Sequence, residues 1–527
     1  MLKIAPRLSL VLSLILLFFP IKANASINAT SYGVKCNGTT DDTVALQNAV
    51  NAAAGQTLLL PHGICQISKS IVFGATSYTV QGQGGGPDPS QASTTLRWAG
   101  DAQSPMIRLT GTARSLFWGF LIYTSSSFPL AVGIQSEAGP TGRTGVNTFQ
   151  DLFMNGTTTA LGKGFAFVFA PGGIDAGNDT SNFINVQIYN FATAAWSFEH
   201  SQSKGHQFFG CRYEGLGPTS SNYGITTALN GRTGGSFAWN GGGGGNVGVD
   251  FYLGQNNDTI LISSGNFEGS GRLLATSGGT YVPWPVTIQG VRWAANNLNS
   301  DGIAIQYTFW NGPLNMIGNF IGDGSSLKKP LQIQVASDGG QYPQNGIAIG
   351  NNVLSSLAQP FTSSSSPQGA WRLYGNTVST SKYGIALADS TGALYEASPA
   401  DPVGNSLATA KMAGLAGSIT PQRSGVVEYK VEGLMASSTG TGGCAVQISD
   451  GKGTAPSNGA AVTGTQLGRR LTVPAMGANA VPFSVHAIAS GANVLPVGTT
   501  YWFDVTVAAV TGGTCTISGL NISAREL

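Results

Sequence analysis

Acidic side chains are scarce in this 527-residue chain, 24 in all, yet two glutamates sit in nearly the same local setting, Arg212-Tyr213-Glu214-Gly215 and Asn266-Phe267-Glu268-Gly269. A carboxylate beside an aromatic residue and a glycine can act as a general acid or a general base. The two lie 54 residues apart. If the chain coils regularly with a period near half that number, they face the same way two rungs apart, with backbones roughly 9.6 Å from each other at two strand spacings. Flexing side chains then bring the carboxyl groups to the roughly 6.5–9.5 Å of an inverting glycosidase, in which one protonates the leaving oxygen and the other activates a water. A closer pair of the retaining kind requires Glu199, Asp250 or Asp258 to approach, and Asp250 is kept as a third catalytic candidate.

Such a period can be counted. A Gly- or Asn-rich turn leads to a bulky residue at 188, 213, 239, 267, 293, 320, 353 and 378, with successive differences of 25, 26, 28, 26, 27, 33 and 25. Short β-like runs at a steady period, without helical spacing, describe the coils of a parallel β-helix, each stacking one inward side chain on its neighbour. The residue after the inward one then points outward: Tyr189, Glu214, Asn240, Glu268, Ala294, Ile321, Leu354 and Ser379. The outward residue before it is Arg212, Ala238, Asn266, Arg292, Asn319 or Asn352. Arg212, Asn240, Asn266 and Arg292 thus flank the carboxylates as substrate-binding candidates, and the arginines suit an acidic sugar. The run Gly241 to Gly245 is expected to be a loop over the site. His200 and His206, beside Glu199, show no third ligand at a metal-binding spacing and are assigned to a surface turn.

Residues 1–25 carry Lys3, Arg7, an apolar run from Leu8 to Pro20 and the small-x-small triplet Ala23-Asn24-Ala25. This is the pattern of a secretory signal peptide cleaved after Ala25, which places the mature chain outside the cytoplasm, secreted or periplasmic, with no membrane span. Charged residues make up 9% and the net charge is +2, which argues against a basic nucleic-acid binder. Five cysteines in an exported chain suggest disulfides; Cys36 with Cys65 and Cys444 with Cys515 each close a loop within one candidate domain. Cys211 is left over as a small buried hydrophobe.

One helix is expected, capped by Asp41-Asp42-Thr43, with Val44, Leu46, Ala49, Val50 and Ala53 on its apolar side and Gly55 ending it. The strand Thr57-Leu58-Leu59-Leu60-Pro61 follows. Residues 26–400 are read as the β-helix. Beyond Pro399-Ala400-Asp401-Pro402, alternating runs at Val426–Val431, Cys444–Ile448, Val481–Ala487, Tyr501–Val507 and Cys515–Ile522 describe a small β-sandwich over 410–527.

The N-terminal residues Tyr32-Gly33-Val34 and Asn37-Gly38-Thr39-Thr40-Asp41-Asp42-Thr43-Val44-Ala45-Leu46-Gln47-Asn48-Ala49-Val50, followed by Leu58-Leu59-Leu60-Pro61-His62-Gly63, resemble the pectate-lyase-like β-helix superfamily. The branch they resemble contains rhamnogalacturonase-type enzymes and phage tailspike depolymerases. The resemblance covers residues 29–67 and implies an all-β, right-handed parallel β-helix with an N-terminal capping helix. It also implies a polysaccharide partner, cleaved by hydrolysis or β-elimination, and in some members a trimer. The motif is the cap and carries no chemistry; His62 sits in its structural turn.

The leading expectation is a secreted glycoside hydrolase that needs no cofactor. Two alternatives stay open. In a polysaccharide lyase, Arg212 and Arg292 would neutralise a uronate and Ca²⁺ would assist, although no Asp-x-Asp loop is present. In a non-catalytic carbohydrate-binding or adhesin protein, the exposed Glu and Arg are a solvated face with weak ion pairs.

Overall fold

The structure is a computed structural model. It describes residues 26–527 apart from 138–143, 159, 169–177, 201–202, 219–220, 230–234, 255–256, 278–284, 309–312, 323–329, 337–344, 358–359, 365–369, 382–383, 387–393, 403–408, 422–424 and 477–478. The expected leader at 1–25 lies outside the described residues. No helix among them is long and apolar enough to cross a membrane.

Each coil of the parallel β-helix is three short strands joined by tight corners, and successive coils stack in register into three sheets, parallel throughout except for the last strand of sheet 2, Gly384–Ala386, which pairs antiparallel. Sheet 1 holds 13 strands, sheet 2 holds 14 and sheet 3 holds 11, so eleven coils carry all three strands among the described residues. Such short strands cannot bury a face alone; stacking gives every inward residue a partner one rung above and one below. On five successive coils of sheet 1 these partners are aromatic: Phe117, Phe149, Phe183, Phe208 and Trp239 stack with ring centroids 5.4, 5.2, 4.6 and 5.3 Å apart. Each such pair adds about 0.5–1.5 kcal/mol beyond its buried area.

The corner between sheets 1 and 2 explains the Gly- and Asn-rich turns. At Gly210, Gly241, Gly290, Gly318, Gly350 and Gly375 one residue takes a left-handed conformation, as Asp151, Asn185 and Ser264 do on other coils. The next residue turns inward, and on late coils it is an asparagine satisfying the corner's backbone. Asn319 Nδ2 donates to Ile288 O at 2.8 Å and to Asn351 Oδ1 at 2.8 Å, and Asn351 Nδ2 donates to Met316 O at 3.1 Å. Cys211 occupies this column as a buried thiol whose pKa burial pushes up to about 12, in keeping with a structural role.

This corner corrects the expected register in two places. The residue of sheet 2 stacked on Tyr213 is Gly244, because the strand Phe237-Ala238-Trp239 belongs to sheet 1. On a later coil Ile321, not Phe320, points inward, fully buried between Trp293 and Val353, while Asn319 is taken up by the corner ladder. Ala294 shares the outward column but is 1% exposed.

The helix Thr43–Ala52 buries Leu46, Ala49 and Val50, whereas Val44, expected on the apolar side, is 73% exposed. Asp42 does not cap it: its carboxylate accepts from the Lys35 and Cys36 amides at 2.7 and 3.0 Å, and Asp41 instead accepts from Thr43 N at 3.0 Å. The Gln47 side chain pairs with both backbone groups of Val72, 2.8 and 2.9 Å, so the helix satisfies the strand Ile71–Phe73 at the end of sheet 3. Covering that edge removes a template for unwanted strand pairing. Gly63 follows His62 because a Cβ there would meet Cys36 O at 2.3 Å. Cys36 is disulfide-bonded to Cys65.

The chain divides into two compact units, the second holding Leu387–Leu527 with the pieces Ala348–Gly350 and Ala370–Thr377. Its sandwich has a four-stranded and a five-stranded antiparallel sheet. All five expected strand regions are found, extended to Val427–Ser437, Gly443–Lys452, Val481–Ala489, Tyr501–Val510 and Cys515–Glu526. Leu394–Ala397, ahead of the expected boundary, pairs with Cys515–Glu526. The Cys444–Cys515 disulfide ties one sheet to the other across an apolar core.

Candidate functional site

Sheet 2 carries the site on three-residue strands whose first and third side chains face outward and whose second faces inward. The third-position column runs Tyr189, Glu214, Gly245, Glu268, Ala294. Glu214 and Glu268 are therefore two rungs apart in one column, as the 54-residue separation predicts, roughly 9.6 Å between backbones. The intervening residue is Gly245 rather than Asn240. Asn240 ends a sheet 1 strand and accepts from Ser263 Oγ at 3.2 Å, outside the carboxylate pair.

Both glutamates are exposed and line one cavity of about 360 Å³, with Arg212, Asn246, Asn266, Asn296 and Asn297 around them. That volume is within the usual range for a small-ligand site. The segment expected to be a covering loop forms its floor: Gly243–Gly245 is a strand of sheet 2. No side chain fits on it. A Cβ on Gly244 would meet the Tyr213 ring at 2.5 Å, and one on Gly243 or Gly245 would meet the carbonyl oxygen of Asn266 or Glu268 at 1.9 or 1.7 Å. The three glycines leave a trough between two rungs that carry Arg-Tyr-Glu and Asn-Phe-Glu.

Each carboxylate is held by an amide from the next coil. Asn246 Nδ2 donates to Glu214 Oε1 at 3.2 Å, and Asn296 Nδ2 donates to Glu268 Oε1 at 2.9 Å. One oxygen of each is thereby oriented by a neutral donor. Sequence reasoning missed both asparagines. Their signal is positional: each follows the register partner of its glutamate by one or two residues on the next coil. Arg292 lies beside the cavity and donates to Asn266 Oδ1 at 2.8 Å. Half-buried Tyr189, one rung before Glu214, has its phenol pKa raised by burial, with Arg212 opposing and Glu214 adding.

Asp250 is beneath the trough, not in it. It is fully buried on a sheet 3 strand and accepts from Tyr213 Oη at 2.7 Å, Ser270 Oγ at 2.8 Å and Trp293 Nε1 at 2.9 Å. Burial pushes its pKa up to about 7 against those three hydrogen bonds. A side chain with no exposed surface cannot touch a polymer, so Asp250 is corrected to a structural anchor for the Tyr213 and Trp293 rings that underlie the site. Glu199 is buried and paired with Lys163, and Asp258 pairs with Lys204 at 2.8 Å on sheet 1. Neither brings a third carboxyl to the trough. His200 and His206 are not a surface turn: both are buried, and His206 packs among Phe167, Phe183 and Phe198, where burial lowers its pKa to about 3.

A calcium cage needs six to eight oxygens. Among the described residues the two carboxylates of the cavity stand two rungs apart, so they do not converge on one ion as such a cage requires.

No family model matches the chain, and no curated protein matches it. Among solved structures, the chain is similar to the tailspike protein of an Acinetobacter phage, at 12% identity and TM-score 0.45, covering 94% of this chain and 88% of that one. It is also similar to the enzymatically active domain of tailspike protein 2 of bacteriophage CBA120, at 11%, 0.40, 95% and 82%. A third is the endo-xylogalacturonan hydrolase from Aspergillus tubingensis, at 11%, 0.37, 67% and 92%. By its own strand pairing, this chain is a parallel β-helix of three sheets.

Proposed function

We propose that the protein is a secreted polysaccharide-degrading enzyme, a glycoside hydrolase of the β-helix type, with Glu214 and Glu268 as its acid–base pair. One observation carries this reading: the two carboxylates face one cavity in one register column, with a side-chain-free rung between them. Two strand spacings leave room for a sugar bond and an attacking water, which suits inversion. The Asn246 and Asn296 amides orient the carboxylates, and the glycine floor lets the polymer approach both. Arg212 and Asn266 supply hydrogen bonds to the sugar, the arginine favouring an acidic residue. Two disulfides suit an oxidising compartment.

A second reading, β-elimination, is favoured by Arg212, which places a cation on the cavity wall beside Glu214 where a uronate carboxylate would be neutralised. Both are tested by incubating the wild type, Glu214→Gln and Glu268→Gln with acidic and neutral polysaccharides. New reducing ends without ultraviolet absorbance from an unsaturated uronate, reduced at least 100-fold in either variant, support hydrolysis. Absorbance gained with each cut supports the lyase. Undiminished cutting by Glu268→Gln sinks the pair, and no cutting by the wild type on any polymer favours an adhesin.

A further inference from the structure

A second cavity, of about 370 Å³, lies on earlier coils of the same β-helix, lined among others by Gln81, Gln83, Trp118, Asp151, Phe153 and Asn185. Its two aromatic rings are partly exposed, although inward positions on these coils are filled by other rings. Trp118 ends a sheet 1 strand in register with Gln81 and Gln150. Phe153 is in register with Gln187, which is in register with Arg212. Phe153 therefore stands on the outward column of Arg212, two rungs along, roughly 9.6 Å between backbones.

The cavity is built rather than incidental. A Cβ on Gly85 would meet the Phe153 ring at 2.7 Å, so a glycine keeps the space beside that ring open, and Gly82 lets the chain pass Gly119 O, which a Cβ would approach to 2.2 Å. Asp151, in a left-handed conformation, has both carboxylate oxygens engaged: Oδ2 accepts from Trp118 Nε1 and Gln150 Nε2, both at 3.1 Å, and Oδ1 from Asn185 Nδ2 at 2.7 Å. The indole is thus fixed by its N–H. Asn155, on the column of Tyr189 and Glu214, ties down the passing chain by donating to Pro87 O. From Asn185 the hydrogen bonds continue through Gln187 to Tyr189, 3.2 and 2.6 Å, one rung short of Glu214.

Two rings edged by side-chain amides match a pyranose, whose C–H faces pack on aromatic surface while its hydroxyls bond to amides. A phosphate polymer would ask for Lys or Arg, and among the described residues none lines this cavity. We propose that the Trp118 cavity is a second saccharide subsite, gripping the polymer several residues away from the bond between Glu214 and Glu268. In naming that polymer it rests on the function proposed above.

The test is affinity electrophoresis in native gels containing polygalacturonate, alginate, xylan or dextran, with wild type, Trp118→Ala, Trp118→Phe and Gln83→Ala, each also carrying Glu268→Gln to prevent digestion of the gel. At least one polymer retards the wild type. Trp118→Ala weakens that retardation about tenfold, the factor that loss of roughly 1.4 kcal/mol gives; Gln83→Ala weakens it less, and Trp118→Phe, which keeps a ring, least. If circular dichroism shows Trp118→Ala to be misfolded, Gln83→Ala and Trp118→Phe decide the matter by the same ordering. Retardation of the variants equal to that of the wild type, or no retardation by any of the four polymers, overturns the subsite. Because binding is read without turnover, failure of the glutamate pair shows up separately, as cleavage that survives Glu268→Gln.

Discussion

Asp250 offers a quantitative handle on the core beneath the trough. Its carboxyl is fully buried and its pKa is raised from 3.8 to about 7, so the folded protein keeps a proton that the unfolded chain gives up near pH 4. Between those two values the folded state binds more protons than the unfolded state, and stability must fall as pH rises. The stabilising contribution is complete below pH 3.8 and is lost as pH climbs to about 7. A shift of about three units at 1.36 kcal/mol each makes the loss about 4 kcal/mol. Asp250→Asn keeps the shape and removes the titration. Urea unfolding followed by tryptophan fluorescence, to which Trp293 contributes from its hydrogen bond to Asp250, should be measured for both proteins from pH 4 to 8. The stability of the wild type relative to Asp250→Asn is expected to drop by about 4 kcal/mol across that range and then level off. A difference that stays flat within about 1 kcal/mol, or that grows with pH, would refute the reasoning and put an ionised Asp250 in the core.

The glycine floor makes a separate prediction: Gly245→Ala, whose new Cβ would sit 1.7 Å from Glu268 O, should cost about 2–3 kcal/mol by overpacking and cut activity more than tenfold, read by thermal melting and reducing-end release. An unchanged melt would show that the rung has slack. In the sandwich, Cys444→Ala with Cys515→Ala opens a crosslink of sequence separation 71 and should remove about 4 kcal/mol from that unit. Calorimetry showing the same transition with and without the disulfide would contradict this.

Much of the fold was legible because stacking repeats itself in the sequence. Ile188, Tyr213, Phe267, Trp293 and Val353 do occupy one inward column of sheet 2, and that was enough to place Glu214 and Glu268 on one face. What failed was the rung between them. A strand of three glycines carries no bulky residue to mark it, and Phe237-Ala238-Trp239, which has the same pattern, belongs to the aromatic stack of sheet 1. Asn240 went to the wrong column for that reason. Asp250 was misplaced differently: a carboxylate in a chain poor in acids invites a catalytic role, and only the packing reveals that Tyr213, Ser270 and Trp293 enclose it. Asn246 and Asn296 escaped notice because asparagine is common at β-helix corners, and a corner ladder such as Asn319–Asn351 gives the same composition without any chemistry.

The anomeric configuration of the first product, followed by proton NMR in the opening minutes of digestion, tests the glutamate pair most directly. Carboxylates on rungs two apart, with an empty rung between, predict that the new reducing end first appears with inverted configuration and equilibrates afterwards. First appearance with retained configuration would contradict the account, since it requires a nucleophile closer to its acid partner than Glu214 is to Glu268.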